Sequence, residues 1–217
     1  MNDLIDAINR ALASTNHVTL TPRKYASPRH FKENQFLPVE ILALVQSYTH
    51  TRYKMVDTDT NTSVRLHFFE SAPDAKHHQF VSQFAAKAFH VFDKVFRKRI
   101  GELDIVFADV PIKKHLPDRH AMFEARHINS GYSIIPTQGS SRKLIVVFRK
   151  DEMLKVFLHE LLHIHHMHPF HTNAAFDESV AKEFKIRTYS GGLNIYEGYV
   201  EFMTTILNTC FYKHIFK

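Results

Sequence analysis

The segment Lys155-Val156-Phe157-Leu158-His159-Glu160-Leu161-Leu162-His163-Ile164-His165-His166 decides how the rest of the chain is read. Val156, Phe157, Leu161, Leu162 and Ile164 recur at helical spacing and offer a surface for burial inside a domain. Within this helix lies the pattern HExxH. At 3.6 residues per turn, His159 and His163 stand one turn apart on one face, so both imidazoles reach a single tetrahedral Zn²⁺. Glu160 then lies beside the metal, where it holds a water and takes its proton, the general-base role this pattern has in metallohydrolases. The chain holds 17 histidines in 217 residues. Even so, chance supplies HExxH only about 0.07 times in a chain of this composition.

Two histidines leave zinc one protein ligand short. The extended pattern HExxHxxGxxH requires glycine at 166 and histidine at 169, and the chain has His166 and Pro169 there, which excludes that class. The remaining candidate is Tyr196-Glu197-Gly198-Tyr199-Val200-Glu201, read as a second helix in which Glu197 and Glu201 share a face at i and i+4. That pairing offers a division of labour. Glu197 is the third ligand, and Glu201 accepts the free ring N–H of a bound histidine, His159, fixing its tautomer and orientation.

With these residues the chain resembles the gluzincins, the zinc peptidases with HExxH and a downstream glutamate. The resemblance implies His159, His163 and Glu197 as ligands, Glu160 as base, and Glu201 as the carboxylate behind a ligand histidine. A narrower resemblance covers Leu144 to Cys210. There LIVVFRKDEMLKVFLHELLHIH followed by YEGYVEFMTTILN is similar to zincin-like proteins of large nucleocytoplasmic DNA viruses, which share an Arg-Lys-rich strand end, HExxH and a later Glu-bearing helix. What it implies is a viral metallopeptidase, without naming its substrate. The short stretch after Glu201 departs from thermolysin-like enzymes and suits a compact, minimal gluzincin. The oxyanion donor that a peptidase requires is left open among Tyr189, Tyr196, Tyr199, Tyr212 and His214.

Composition sets the bounds. A chain of 217 residues with 44% hydrophobic residues and 19 Phe is long enough to bury a full core. No apolar run reaches the ~18 residues of a membrane-spanning helix. The N-terminus carries acids where a secretory signal carries bases, so the expected location is cytoplasmic: host cytoplasm, or virion for a viral protein. The single Cys210 excludes an intrachain disulfide framework and a cysteine-rich zinc cluster, and reads as a buried thiol. The net charge of +6 is concentrated in Arg23, Lys24, Arg29 and Lys32; in Lys94, Arg97, Lys98 and Arg99; and in Lys113, Lys114 and Arg119. A solvated surface is the simplest account, with nucleic acid or an acidic partner as the alternative.

The expected fold is α+β, a compact zincin-like domain. It has a small mixed or antiparallel sheet, a backing helix, the HExxH helix and a C-terminal Glu-bearing helix. Residues 1–35 read as a short amphipathic helix (2–12) and a basic arm punctuated by Pro22 and Pro28, and residues 36–217 as the metallopeptidase domain. Within that domain Pro38 opens a helix. Tyr53–Val56 and Ser63–Phe69 form a hairpin, and 74–99 form a long helix with Phe80, Phe84, Ala88, Val91, Phe92 and Val95 on its apolar face. Leu103–Ala108 is a strand. Gly131–Ile135 and Lys143–Phe148 form a hairpin with a turn at 137–141, leading directly into the site helix with Asp151 as its N-cap. The free edge of that hairpin would take an extended peptide by strand addition. Between Pro169 and the Glu197 helix lie a further helix, 177–187, and a hinge at 189–193. The histidines from His165 to His171 read as surface groups or as supports of the site, with an extra metal site as the alternative.

A zinc-dependent peptidase acting by metal-activated water on a peptide or protein substrate is thus the leading function. A structural or interaction protein that keeps the fold, such as a virion component, is the alternative, and a basic nucleic-acid-associated protein ranks third. Glu160 separates the first two, because a structural zinc site needs ligands but no base.

Overall fold

The computed structural model describes residues 1–14, 18–23, 35–57, 62–118, 124–135, 143–167, 174–185 and 195–215. Its centre is one six-stranded mixed sheet, with strands β1 (Val18–Pro22), β2 (Thr49–Asp57), β3 (Thr62–Glu70), β4 (Leu103–Ala108), β5 (Gly131–Ile134) and β6 (Lys143–Val147). They lie in the order β1-β2-β3-β4-β6-β5. The pairs β1/β2, β2/β3 and β6/β5 are antiparallel, while β3/β4 and β4/β6 are parallel. The fold is α+β, as the periodicities require. The two expected hairpins form, and their turns at 58–61 and 136–142 lie outside the described residues.

Alternation along the strands gives the sheet two buried faces. On one face Met55, Val64, Leu66, Phe68, Ile105, Phe107, Ile145 and Val147 meet four helices: α1 (Asn2–Ala13), α3 (Ala75–Lys94), α5 (Met153–Ile164) and α7 (Ile195–Ile215). On the other face Phe69, Val106 and Val146 pack with Ile41 and Val45 of α2 (Val39–Gln46). Strand β4 is buried along its whole length, which explains why its sequence LDIVFA shows no clean alternation. Two short helices, α4 (Ala125–Ile128) and α6 (Ala174–Glu183), complete the described structure. No helix among the described residues is long and apolar enough to cross a membrane.

Several expectations are revised. Ile8, Ala11 and Leu12 of α1 belong to the main core, and 18–22 form the outermost strand, so these two elements are built into the sheet domain. The arm residues 24–34 lie outside the described residues. Helix α3 opens at Asp74, whose carboxylate accepts the Lys76 and His77 N–H groups at 2.8 and 3.2 Å. It ends at Lys94 instead of Arg99, before Arg97 adopts φ 56° and turns the chain. Asp151 is not the cap of the site helix. It sits in a single 3₁₀ turn, Lys150–Glu152, and the helix begins at Met153 without a side-chain cap. Helix α6 begins at Ala174 and ends at Glu183, earlier at both ends than expected, while the hinge 189–193 is outside the described residues.

Candidate metal centre

Helix α5 is held from below by aromatic edges. Phe157 meets Phe84, Phe89 and Phe107 at ring-centroid distances of 6.3, 6.1 and 5.7 Å. Buried Phe157, Leu158, Leu161 and Leu162 fix the helix rotation, which turns His159 and His163 toward α7. Cys210 is buried at the far end of α7, as expected, and burial raises its thiol pKa. A further anchor comes from Arg149 just ahead of α5. This buried side chain donates to the carbonyls of Ile112, Arg126 and Asn129 at 2.6, 2.7 and 2.9 Å. It thereby ties the segment after β4 and the segment before β5 to the start of the site helix.

His159 Nε2 and His163 Nε2 lie 2.9 Å apart. Glu197 Oε2, from the first turn of α7, stands 3.5 Å from the former and 3.4 Å from the latter. Bonds of about 2.0–2.2 Å from nitrogen and oxygen to a tetrahedral zinc imply ligand separations of about 3.3–3.5 Å. Two of the three edges match, and the third is within a few tenths of an ångström. Among the described residues this is the group whose donors gather within 4.8 Å.

The atoms behind the ligands strengthen the fit. His159 Nδ1 faces Glu201 Oε2 at 3.3 Å, the partnership expected from the i, i+4 spacing on α7. His163 Nδ1 lies 2.9 Å from the Tyr196 hydroxyl. With the ring N–H of His159 directed at Glu201, its Nε2 lone pair points inward, toward the other imidazole and a carboxylate oxygen. Acceptors aimed at one point are satisfied by a cation. Lys155 holds the second oxygen of Glu201 and so fixes that carboxylate behind His159.

Charge follows the same geometry. The two imidazoles hold the Glu197 carboxyl down to about 2. Burial alone would lower the His159 pKa, but Glu197 beside it, with the charges of Glu160 and Glu201, outweighs burial and raises it. Glu160 is 7% exposed. Burial raises its pKa, against the opposing pull of His159, His163 and a hydrogen bond from Ser133. A carboxyl raised in this way is suited to accepting and returning a proton.

Ser133 and Tyr196 are the site residues whose roles the sequence did not disclose. Ser133 reaches Glu160 because β5 lies close against α5, and Gly131 permits that approach. A Cβ at Gly131 would stand 2.6 Å from Val156 Cγ1 and 2.7 Å from the Val146 carbonyl oxygen. Tyr196 was among the candidates for an oxyanion donor, and its hydroxyl oxygen accepts from His163 Nδ1 at 2.9 Å. Of the other candidates, Tyr212 is 63% exposed on α7, and Tyr189 lies outside the described residues. His165 is buried against Phe92 at 5.2 Å and is not a surface group. Burial and the charges of Lys143, Lys98 and His166 lower its pKa to about 4. His166 is exposed, and His168 and His171 lie outside the described residues.

A cleft of about 330 Å³ adjoins the centre, lined by Asn129, Ser130 and Gly131, by Val156, His159 and Glu160, and by Glu201. Its mouth carries Lys114, whose ammonium meets Glu152 at 2.7 Å. Glu152 also accepts from the Ser130 hydroxyl at 2.9 Å, so it braces the start of β5 instead of capping α5. Comparison with protein-family models, curated proteins and solved structures finds no match to this chain.

Proposed function

We propose that the chain is a zinc-dependent peptidase of the gluzincin type. The observation that carries this reading is the convergence of His159 Nε2, His163 Nε2 and Glu197 Oε2 beside a buried carboxyl, Glu160, that binds none of them. The three converging residues would hold the metal. When bound there, zinc supplies Lewis acidity and brings the ionisation of water down to about pH 7. Glu160 takes the proton from the attacking water and passes it to the leaving amine, and Ser133 holds its carboxyl in place for both transfers. Glu201 and Tyr196 orient the two imidazoles from behind.

A peptide substrate is favoured over other hydrolysable groups by the position of β5. This strand is at the edge of the sheet and packs against α5, and its outer backbone is open to one more strand among the described residues. An extended chain added there would run past Gly131 and the cleft beside Glu160. The structural alternative gives Glu160 no task. Metal analysis of purified protein, followed by a peptide-cleavage screen with and without chelator, separates the two readings. The peptidase requires one zinc per chain and cleavage that stops with chelator. Zinc without chelator-sensitive cleavage would leave the structural reading in its place.

A further inference from the structure

We infer that the sheet carries a second ligand site, for the phosphate group of a compact phosphomonoester, at the end remote from the metal centre. On the face turned away from α3 and α5, the antiparallel register sets Lys54 of β2 directly opposite Arg65 of β3. Arg23 continues the row beyond β1, its N–H bonded to the Arg52 carbonyl at 2.9 Å. Two like-charged pairs therefore lie side by side across three strands, an arrangement that costs stability when nothing negative relieves it.

These side chains border a groove of about 450 Å³ together with Ser63 and Glu102, a size suited to a small ligand. Asp104 takes a bidentate pair of bonds from Arg65, the second at 2.7 Å. Among the described residues neither Arg23 nor Lys54 has an acidic partner. The other basic clusters differ: Lys94 and Arg99 share Asp93, Lys114 has Glu152, and Lys150 has Asp109.

Among the described residues, four cations stand against the carboxylates of Glu102 and Asp104, an excess of two positive charges. One phosphomonoester brings about −1.5 to −2 at pH 7. Arg65's fork is taken up by Asp104, while Arg23 carries a guanidinium fork whose geometry matches phosphate oxygens, and the Lys54 ammonium and Ser63 hydroxyl add donors. No aromatic ring lines the groove, so it offers no platform for stacked bases, and a compact phosphate fits it better than a nucleic-acid strand. In the strand order β1, β2 and β3 are at the opposite end from β5, so this site and the metal centre stand or fall separately.

The test is titration of the full chain with glycerol phosphate at low ionic strength, by calorimetry and by thermal melting, against glycerol with matched sodium chloride. Saturable one-to-one binding and a raised melting temperature are expected. The double variant Arg23→Gln, Lys54→Gln should lose affinity by about tenfold or more. In phosphate-free buffer the same variant should melt at or above the wild-type temperature, because it removes like-charge crowding, whereas a purely structural role for these cations requires it to melt lower. Glu160→Gln should bind glycerol phosphate as wild type does. Absence of saturable binding, unchanged affinity in the double variant, loss of binding in Glu160→Gln, or binding of decathymidylate or tri-glutamate in place of glycerol phosphate would each overturn the inference.

Discussion

Two assemblies of histidine, glutamate and tyrosine among the described residues are built to opposite plans. In the core between β3 and α3, Glu70, His78 and Tyr53 form a line. His78 Nε2 donates to Glu70 Oε2 at 2.7 Å, and His78 Nδ1 accepts from the Tyr53 hydroxyl at 3.0 Å. Glu70 and His78 are 3% and 2% exposed. Burial first, then the charge of Glu70, raises the Tyr53 pKa, which keeps the hydroxyl protonated as the donor this line needs. Each donor in the line meets an acceptor. At the candidate metal centre the same residue types turn inward on one point, and their hydrogen-bonding partners stand behind them. Convergence on one point, more than composition or burial, marks a ligating site.

The sharpest way to break this comparison is Glu160→Gln. It keeps the shape of the side chain and removes the proton acceptor, so peptide hydrolysis should fall by about 10²–10⁴-fold while zinc content stays at one per chain. Equal rates for wild type and variant would assign the activity to another site. The converse substitution, Glu70→Ala, should cost about 2–5 kcal/mol of stability, because it strands the buried His78 N–H. Denaturant melts measure the loss, and metal analysis should find zinc stoichiometry unaltered. A Glu70 variant that loses zinc while remaining folded would erase the distinction between the two assemblies.

Glu197→Ala should abolish stoichiometric zinc, and Glu201→Ala should weaken zinc affinity by about 10–100-fold while leaving it measurable. Competition with a chromogenic chelator reads both. If Glu197→Ala retains wild-type affinity, the ligand trio is wrong. The smallest effect is expected from Tyr196→Phe, which removes one hydroxyl behind His163. A loss of about tenfold in zinc affinity, with the fold intact by circular dichroism, would place Tyr196 alongside Glu201. No change would leave Glu201 as the sole outer support.

What was legible of the candidate site in the sequence starts from spacing within single helices. His159 and His163, and likewise Glu197 and Glu201, are four apart, so helical geometry alone puts each pair on a common face. Spacing put Glu201 beside Glu197, and the choice of His159 as its partner came from the need of a ligand histidine for an acceptor at its free ring N–H. Ser133 and Tyr196 did not follow, because their partners Glu160 and His163 belong to other elements and no local period records the approach. The parallel placement of β4 between β3 and β6 was hidden for the same reason, since crossovers leave no mark on strand periodicity. Asp151 misled because Glu152, one residue on, is drawn away to Lys114 and Ser130, and the chain takes a 3₁₀ turn before the helix starts. His165 looked like one more surface histidine at a helix end. Its neighbour Phe92 on α3, 73 positions earlier in the chain, is what buries it.

Helix α7 brings the proposed ligand Glu197 in its first turn and anchors itself further along through Leu207 and Phe211 in the main core, where it also meets α1. An ion seated between α5 and α7 is therefore linked by mass action to the folding of the whole chain. At a hundred times its dissociation constant, a ligand that binds only the folded form adds about 2.7 kcal/mol. On the proposed function, the metal-free chain would be the species most exposed to proteolysis, and the lifetime of the protein would follow the supply of the ion.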